Sequence, residues 1–346
     1  MRKIAYLSNC FASISHTFMR REIAELRKLG VDISFYGIRP DIEKDIADDA
    51  VEDIFNRTFY LYFKKKEKIL GWILDMIWSN VYFIFSSPIK YFSGFFSALL
   101  NEEKNIKDHL KLVYHFFVSA RHAKRMKKQR IEHIHAHFIN VSGTIAMYCS
   151  DLLGIPYSIT AHSAGEADKK EMIGLRRKIK NSKFMVVISD YLKAYLIKSV
   201  YPCRDKTYIV RCGLDTSSYQ PSKGHKYLFD KNAVRLLAVG RFVEKKGFEY
   251  LVRAAKLLKD SDISFRIDFL GGGPLLKKCR RISEKFGVSD VISFKGSKSP
   301  KEVKEYYENA DIVIVPSVTA ATGEMEGIPV VIMEALLMGV PVISTK

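Results

Sequence analysis

The chain predicts two α/β domains, each a parallel sheet crossed by helices. Three observations carry this. Its 346 residues are too many for one ordinary core and suit two domains of roughly 150 residues each. Short β-rich apolar runs alternate with helix-length segments, the pattern of strand–helix–strand units. The second half then repeats that alternation beyond a polar, Gly- and Pro-bearing stretch at 213–233.

In the first domain (1–212) strands are expected at Lys3–Ser8, Val31–Ile38, His133–Phe138, Tyr157–His162, Phe184–Ser189 and Thr207–Cys212. The segment Thr17–Leu29 carries Phe18, Ile23, Leu26 and Leu29 at helical positions, and Gly30 stands where a helix-ending glycine belongs. After the linker at 213–233, the second domain (234–346) offers strands at Arg235–Val239, Ser264–Leu270, Val291–Phe294, Asp311–Pro316 and Pro341–Thr345. Helices fill Phe248–Lys259, Pro274–Phe286, Pro300–Asn309 and Pro329–Met338. Proline at or near the start of the last three suits the first helical position, where its missing N–H costs nothing.

Residues 53–130 break the regularity, with Phe, Tyr, Trp, Leu and Lys crowded together as in NRTFYLYFKKKEKILGWILDMIWSNVYFIF. This reads as a helical insertion in the first domain. It is either a basic, aromatic surface resting on a membrane interface or an ordinary helical hairpin packed on the sheet. No stretch reaches the roughly 18 uninterrupted apolar residues of a membrane span. The nearest, 76–89, is interrupted by Ser79, Asn80, Ser86, Ser87 and Pro88. The opening MRKIAYLSNC reads as a first strand, not a signal peptide. A soluble or peripheral protein is expected.

Apolar residues make up 47% of the chain and aromatics 12%, which supports two buried cores and speaks against extensive disorder. Cys10, Cys149, Cys203, Cys212 and Cys279 are odd in number and lack CxxC spacing. That disfavours a disulfide framework or a zinc site and fits a reducing cytoplasm. The net charge of +18 predicts attraction to nucleic acid, a lipid surface or a phosphorylated substrate. No nucleic-acid recognition motif accompanies it.

Four strings carry chemistry. In Val239–Gly247 a strand runs into a helix start, where free N–H groups favour an anion. Arg241 and Lys246 add a bidentate donor and a point charge there, to bind phosphate or simply to be solvated. Gly271-Gly272-Gly273-Pro274 permits close backbone approach to a ligand. The first loop, Ser8–His16, holds no glycine, so the dinucleotide fingerprint of a dehydrogenase is absent.

In Glu326–Ala335, the N–H groups around Gly327, Ile328, Pro329 and Val330 form a further anion site. Glu334 follows about five residues into the helix, some 7–8 Å along its axis, and its carboxylate leans back toward the helix start. Two carboxylates framing a phosphate site suit a polyol on a diphosphate. His162 ends the strand string Ser158–His162, where open α/β sheets bind ligands. His133, His135 and His137 share one strand face, which suggests metal. With no carboxylate nearby in the sequence, hydrogen bonding at the strand end is the better reading.

Together these strings resemble the retaining GT-B glycosyltransferases of the family 4 (group 1) type, in a branch acting in polysaccharide and exopolysaccharide assembly. SISHTFMRREIAELRKLGVDI, IHAHF, LLGIPYSITAH, VVISDYL, VRCGLD, VGRFVEKKGFEYLVRAA, LGGGP and EGIPVVIMEALLMGVPVIST follow in family order over nearly the whole chain. The resemblance implies two Rossmann-like domains facing each other across a cleft. It implies a hexosyltransferase that moves a sugar from a UDP- or GDP-sugar to a glycan or lipid-linked acceptor, without metal or cofactor. The protein would be cytoplasmic and peripheral on the inner face of an anionic membrane.

Residue by residue, Arg241 and Lys246 match the pair that neutralises the departing diphosphate, and Gly240 opens their loop. Glu326 is implied at the donor sugar and Glu334 at the nucleotide ribose. His162 is implied near the anomeric centre and Gly272 and Gly273 beside the nucleotide. Phe294, Lys295 and Gly296 are implied along the base. Ser15, His16, Thr17 and His137 fall on the acceptor side. Two departures stand out. The first loop lacks the glycine pair of many relatives, and the family pattern continues beyond Lys346. The latter raises an incomplete second domain, and with it an inactive nucleotide or glycan binder as the alternative function.

Overall fold

The computed structural model describes residues 3–11, 17–40, 49–62, 69–100, 105–162, 173–199, 201–217, 219–220 and 233–345. The chain divides into two compact units, Met1–Arg211 and Cys212–Lys346.

The first unit is a seven-stranded, wholly parallel sheet of β1 (Lys3–Ser8), β2 (Asp32–Gly37), β3 (Phe59–Tyr60), β4 (His133–His137), β5 (Tyr157–Ala161), β6 (Phe184–Val187) and β7 (Thr207–Ile209). Its spatial order is β3-β2-β1-β4-β5-β6-β7. Helices α1 (Thr17–Lys28), α2 (Asp49–Arg57), α3 (Ile69–Ser86), α4 (Pro88–Leu99), α5 (Ile106–Lys128), α6 (Val141–Leu153), α7 (Leu175–Asn181) and α8 (Asp190–Ser199) cross between the strands. β5 is buried along its whole length, as expected when both sheet faces are covered. Helix α1 buries Met19 and Ile23 against Tyr6, Phe11, Ile33 and Phe35. It ends at Gly30 (φ 78°), whose N–H donates to the Arg27 carbonyl at 2.9 Å, a left-handed stop.

The insertion is three long helices, joined to the sheet edge by β3, a two-residue strand the composition of 53–130 conceals. Arg121 on α5 fixes it in place. Its Nε donates to Asp75 of α3 at 2.7 Å and its Nη1 donates to the Leu61 carbonyl at 2.5 Å. Trp72 Nε1 donates to the same carbonyl at 2.7 Å. Helix α3 also corrects the expectation for 76–89. By length and composition it is long and apolar enough to cross a membrane, and only 17% of it is buried.

The second unit is a five-stranded parallel sheet of β8 (Val234–Val239), β9 (Phe265–Leu270), β10 (Ile292–Gly296), β11 (Ile312–Val315) and β12 (Val342–Ser344), in the order β10-β9-β8-β11-β12. Helices α9 (Phe248–Asp260), α10 (Leu276–Lys285), α11 (Pro300–Asn309) and α12 (Val330–Leu337) cover it. Alternation along β8 splits the core. Leu236 and Ala238 join Phe248, Val252, Ile267, Phe269 and Cys279 on one face, and Leu237 joins Tyr307, Val313, Val315 and Ala335 on the other.

Two expectations shift. Leu214 and Tyr219, read as linker, belong to this second core, because both are apolar enough to be drawn under α12. Of the three prolines expected at first helical positions, only Pro300 occupies one. It follows Ser299 in a reciprocal capping box with Glu302. Pro329 is the residue before α12, and Pro274 precedes α10 by two.

Burial in the first unit holds three histidines neutral: His115 is pushed down to about 4, His122 to about 3 and His135 to about 3. Below the ordinary histidine value of about 6.5 the unfolded chain takes up protons at these positions that the folded chain refuses. Stability therefore falls as pH drops from 6.5 toward 4. Burial raises Asp151 to about 6 and raises Glu22, which offsets part of the loss. Urea midpoints measured between pH 7.5 and 5 are expected to decline toward acid, and a rise would contradict these burials.

Candidate functional site

In the second unit the chain passes from β8 outward to β9 and β10, then returns past β8 to β11 and β12. The loops leaving β8 and β11 therefore part in opposite directions at the carboxyl ends of the strands. Such a crevice is where open α/β sheets bind ligands. The sequence-predicted Gly240, Arg241 and Lys246 lie on the first of these loops, Glu326, Gly327, Ile328 and Pro329 on the second, and Val330 opens α12 directly after it.

One contact joins the two loops chemically. Lys246 Nζ donates to Glu326 Oε2 at 2.9 Å, and Lys245 Nζ lies 3.7 Å from Glu326 Oε1. One carboxylate is thus held between two half-buried cations, while Arg241 next to them is exposed. The backbone reinforces the contact. Val318 N–H donates to the Lys245 carbonyl at 2.9 Å and Ala321 N–H to Glu244 Oε1 at 2.9 Å. Neither α9, preceded by Gly247, nor α12, preceded by Pro329, has a side-chain N-terminal cap, and the N-terminus of a helix favours an anionic acceptor.

The glycine string packs against the same loop. Gly240 N–H donates to the Leu270 carbonyl at 2.9 Å and Phe242 N–H to the Gly272 carbonyl at 2.8 Å. A Cβ on Gly271 (φ 132°) would lie 2.0 Å from the Gly240 carbonyl oxygen, and one on Gly273 2.7 Å from the Phe242 nitrogen. At Gly272 the nearest atom, Ser297 Oγ, is 3.4 Å away. Loop-on-loop packing therefore accounts for Gly271 and Gly273, a reason independent of any ligand.

Two predicted residues have partners within the unit. Glu334 is buried, its carboxylate accepting from Tyr219 Oη at 2.9 Å and Tyr307 Oη at 3.1 Å. Both tyrosines belong to the core of this unit. Phe294, expected along a base, stacks on Phe269 at 5.3 Å within the core, because it shares the inward face of β10 with Ile292. Lys295 is exposed and pairs with Asp268 at 3.7 Å.

In the first unit the histidines of β4 form a polar ladder with β5. His133 Nε2 and His135 Nδ1 each lie 2.7 Å from Ser158 Oγ, and His135 Nε2 is 3.0 Å from Thr160 Oγ1. His137 Nδ1 is 3.1 Å from Nε2 of His162, the last rung, and the two rings stack at 5.3 Å. The expectation that no carboxylate joins these histidines is corrected. Helix α1 brings Glu22 to 3.8 Å from His137 Nε2, and Tyr6 Oη donates to it at 2.6 Å.

Glu22, His135 and His137 offer ligand atoms within 4.8 Å of one another, a donor set of the type zinc uses. Both ring nitrogens of His135 are already hydrogen-bonded, so a metal there would have to displace a hydroxyl. Sequence reading missed Glu22 and Tyr6. The available signal was that Glu22 lies four residues after Phe18, on the inward side of α1. Ser15 and His16 lie outside the described residues, and Thr17 opens α1.

Residues 220–346 match the family described as Glycosyl transferases group 1, and residues 102–218 match Glycosyltransferase Family 4. The chain belongs to the family 4, group 1 glycosyltransferases. It is 37% identical over 161 residues to WcaL of Escherichia coli (strain K12), a glycosyltransferase assigned to colanic acid biosynthesis. It is 35% identical over 144 residues to the amylovoran biosynthesis glycosyltransferase AmsK of Erwinia amylovora. These matches cover 46% and 41% of this chain but only 39% and 34% of the relatives.

In fold, the chain resembles sucrose-phosphate synthase from Thermosynechococcus elongatus (TM-score 0.67, 17% identity, 99% of this chain and 81% of that one). It also resembles HepE of Anabaena, solved with UDP and glucose (TM-score 0.67, 14% identity, 100% and 81%). Both likenesses are of fold, a pair of parallel-sheet Rossmann-like units.

In this member of the family the β8 loop is held against β11 at Gly247 (φ 65°), where a Cβ would lie 1.8 Å from the Pro316 carbonyl oxygen. Gly247→Ala is therefore expected to destabilise the second unit by about 1–3 kcal/mol or more. A urea melt indistinguishable from wild type would show that the two loops are not locked there.

Proposed function

We propose that the chain is a retaining hexosyltransferase that moves a sugar from a UDP- or GDP-sugar to a glycan or lipid-linked acceptor in polysaccharide biosynthesis, at the inner face of the cytoplasmic membrane. The observation that carries the proposal is the Lys246–Glu326 contact across the β8/β11 crevice, with Arg241 exposed beside it. The relatives support the pathway, being named for colanic acid and amylovoran biosynthesis. They support both nucleotides as well, since HepE was solved with UDP and a mycobacterial relative is named GDP-mannose-dependent.

Breaking the sugar–diphosphate bond builds negative charge on the leaving phosphate and positive character at the anomeric carbon. Arg241, Lys246 and the N–H groups at the starts of α9 and α12 offer positive charge to the departing diphosphate, and such donors stabilise the first charge. A bound diphosphate draws Lys246 away from Glu326 and frees that carboxylate to face the sugar. Two cations so placed supply the neutralisation that a divalent metal gives elsewhere, so the reaction needs no metal. His162, the last rung of the ladder in the first unit, has its ring fixed by His137. Attack by the acceptor on the face the diphosphate leaves is part of this proposal.

The test is a thermal melt with UDP, GDP or NAD, each with and without EDTA. A nucleotide at about 100 times its dissociation constant adds about 2.7 kcal/mol of stability. UDP or GDP is expected to raise the melting temperature equally in EDTA, and NAD to leave it unchanged. No shift with either nucleotide would sink the donor-site reading, and binding without transfer or hydrolysis would leave a binding module.

Arg241→Met and Lys246→Met are each expected to lower kcat about 10²–10³-fold with unchanged circular dichroism. Activity within a factor of about three of wild type would remove them from the leaving-group role.

A further inference from the structure

Helices α3, α4 and α5 are amphipathic in the wrong sense for a soluble domain. On α3 the face packed on α5 carries Ser79, Asn80 and Phe83. Asn80 Nδ2 donates to the Phe117 carbonyl at 3.0 Å, and Tyr91 Oη of α4 donates to Asn80 Oδ1 at 3.1 Å. The opposite face carries Leu70, Leu74, Ile77, Trp78, Tyr82 and Phe85, all exposed at helical spacing. Helix α4 repeats the inversion with Ile89, Phe92, Phe96 and Leu99 outward and Tyr91, Gly94 and Ala98 inward. The first turns of α5 add Ile106, Leu110 and Tyr114. Phe85 is 82% and Ile89 85% exposed, so this is not the edge of a core.

The apolar surface adjoins a cluster in which cations outnumber carboxylates. Tyr82 belongs to the outward stripe of α3 and also lines a pocket of about 510 Å³ with Asp75, Lys124, Arg125, Lys127 and Lys128. Lys127 Nζ lies 5.0 Å and Lys124 Nζ 6.0 Å from the Tyr82 ring. Among the described residues none of these four cations pairs with a carboxylate, whereas the buried Arg121 beneath them is matched by Asp75. Apolar stripes next to unneutralised cations complement one environment, hydrocarbon under a layer of phosphates.

We propose that the outward faces of α3, α4 and α5 form a docking surface for an anionic phospholipid bilayer. The aromatic stripes enter the interface, and lipid phosphates are held by Lys124, Arg125, Lys127 and Lys128. The helices lie in the interface instead of crossing it, because the polar side of α3 is committed to α5 through Asp75 and Asn80. The proposal rests on the membrane part of the function above and is independent of the transferase chemistry.

The full chain is expected to sediment with vesicles of phosphatidylglycerol and phosphatidylcholine, and to stay in solution with phosphatidylcholine alone. Emission from the exposed Trp78 should shift to the blue on binding, and Trp78→Phe should abolish that shift. Trp78→Ser with Phe85→Ser, and separately Lys124→Glu with Lys127→Glu, should each weaken binding about tenfold or more. All four residues are at the surface, so circular dichroism and the UDP or GDP melting shift should be unchanged.

Equal recovery in solution with both vesicle types would overturn the proposal, as would variants that sediment like wild type. Self-association that the stripe substitutions abolish, without vesicle binding, would assign the surface to a second copy of the chain and overturn it as well. The nucleotide shift is read in the same samples, so loss of vesicle binding and loss of the donor site are told apart.

Discussion

A parallel strand returns to its starting edge only by crossing a face of the sheet, so every strand in such a sheet delivers its carboxyl end to the same side. The rest of this molecule depends on that constraint. In the second unit it gathers five strand ends into one strip and, where the order reverses at β8, pulls two loops apart. Lys246 and Glu326, 80 residues apart in the chain, meet because both loops begin on that strip. In the first unit the same rule lines up His133, His135 and His137 with Ser158 and Thr160 on one face. Partners one strand apart are in register there, His135 opposite Ser158 and His137 opposite Thr160.

The legible parts of the fold were those encoded locally. Strand positions followed from apolar runs, the end of α1 from Gly30, and the crevice residues from strings in which a strand, a glycine or proline and a helix are contiguous. What escaped was set by distant partners. Glu22 joins the histidine ladder only because α1 is carried over β1 and β4. Tyr219 sits in a polar stretch that reads as linker, yet its hydroxyl holds Glu334 within the core. Periodicity revealed apolar faces on α3 and α4 but not their direction, because a stripe of Leu, Trp and Phe looks the same whether it meets protein or faces outward. That direction was decided by Asp75 and Asn80, polar residues of α3 whose partners Arg121 and Phe117 lie on α5.

The ladder in the first unit is costly to build, since imidazoles and hydroxyls buried between a sheet and a helix must find partners or lose stability. Here they find one another. The chain of contacts runs from His133 through Ser158 and His135 to Thr160, and beside it from Tyr6 through Glu22 to His137 and His162. A leucine packing of equal volume would hold the sheet as well but would leave the orientation of the His162 ring undetermined. The ladder fixes that ring from behind.

The loops around Gly240, Gly247, Gly271 and Gly273 touch backbone to backbone, with no room for a single added carbon at the last three. Such a floor does not yield to a ligand, nor does it drift through small substitutions, because each change on one loop strands its partner on the next. Diversification of this pocket is therefore confined to the side chains that rise above it, Arg241, Lys295 and the residues around Gly327. The same rigid tray could pass through a lineage while these few positions are rewritten for different cargo.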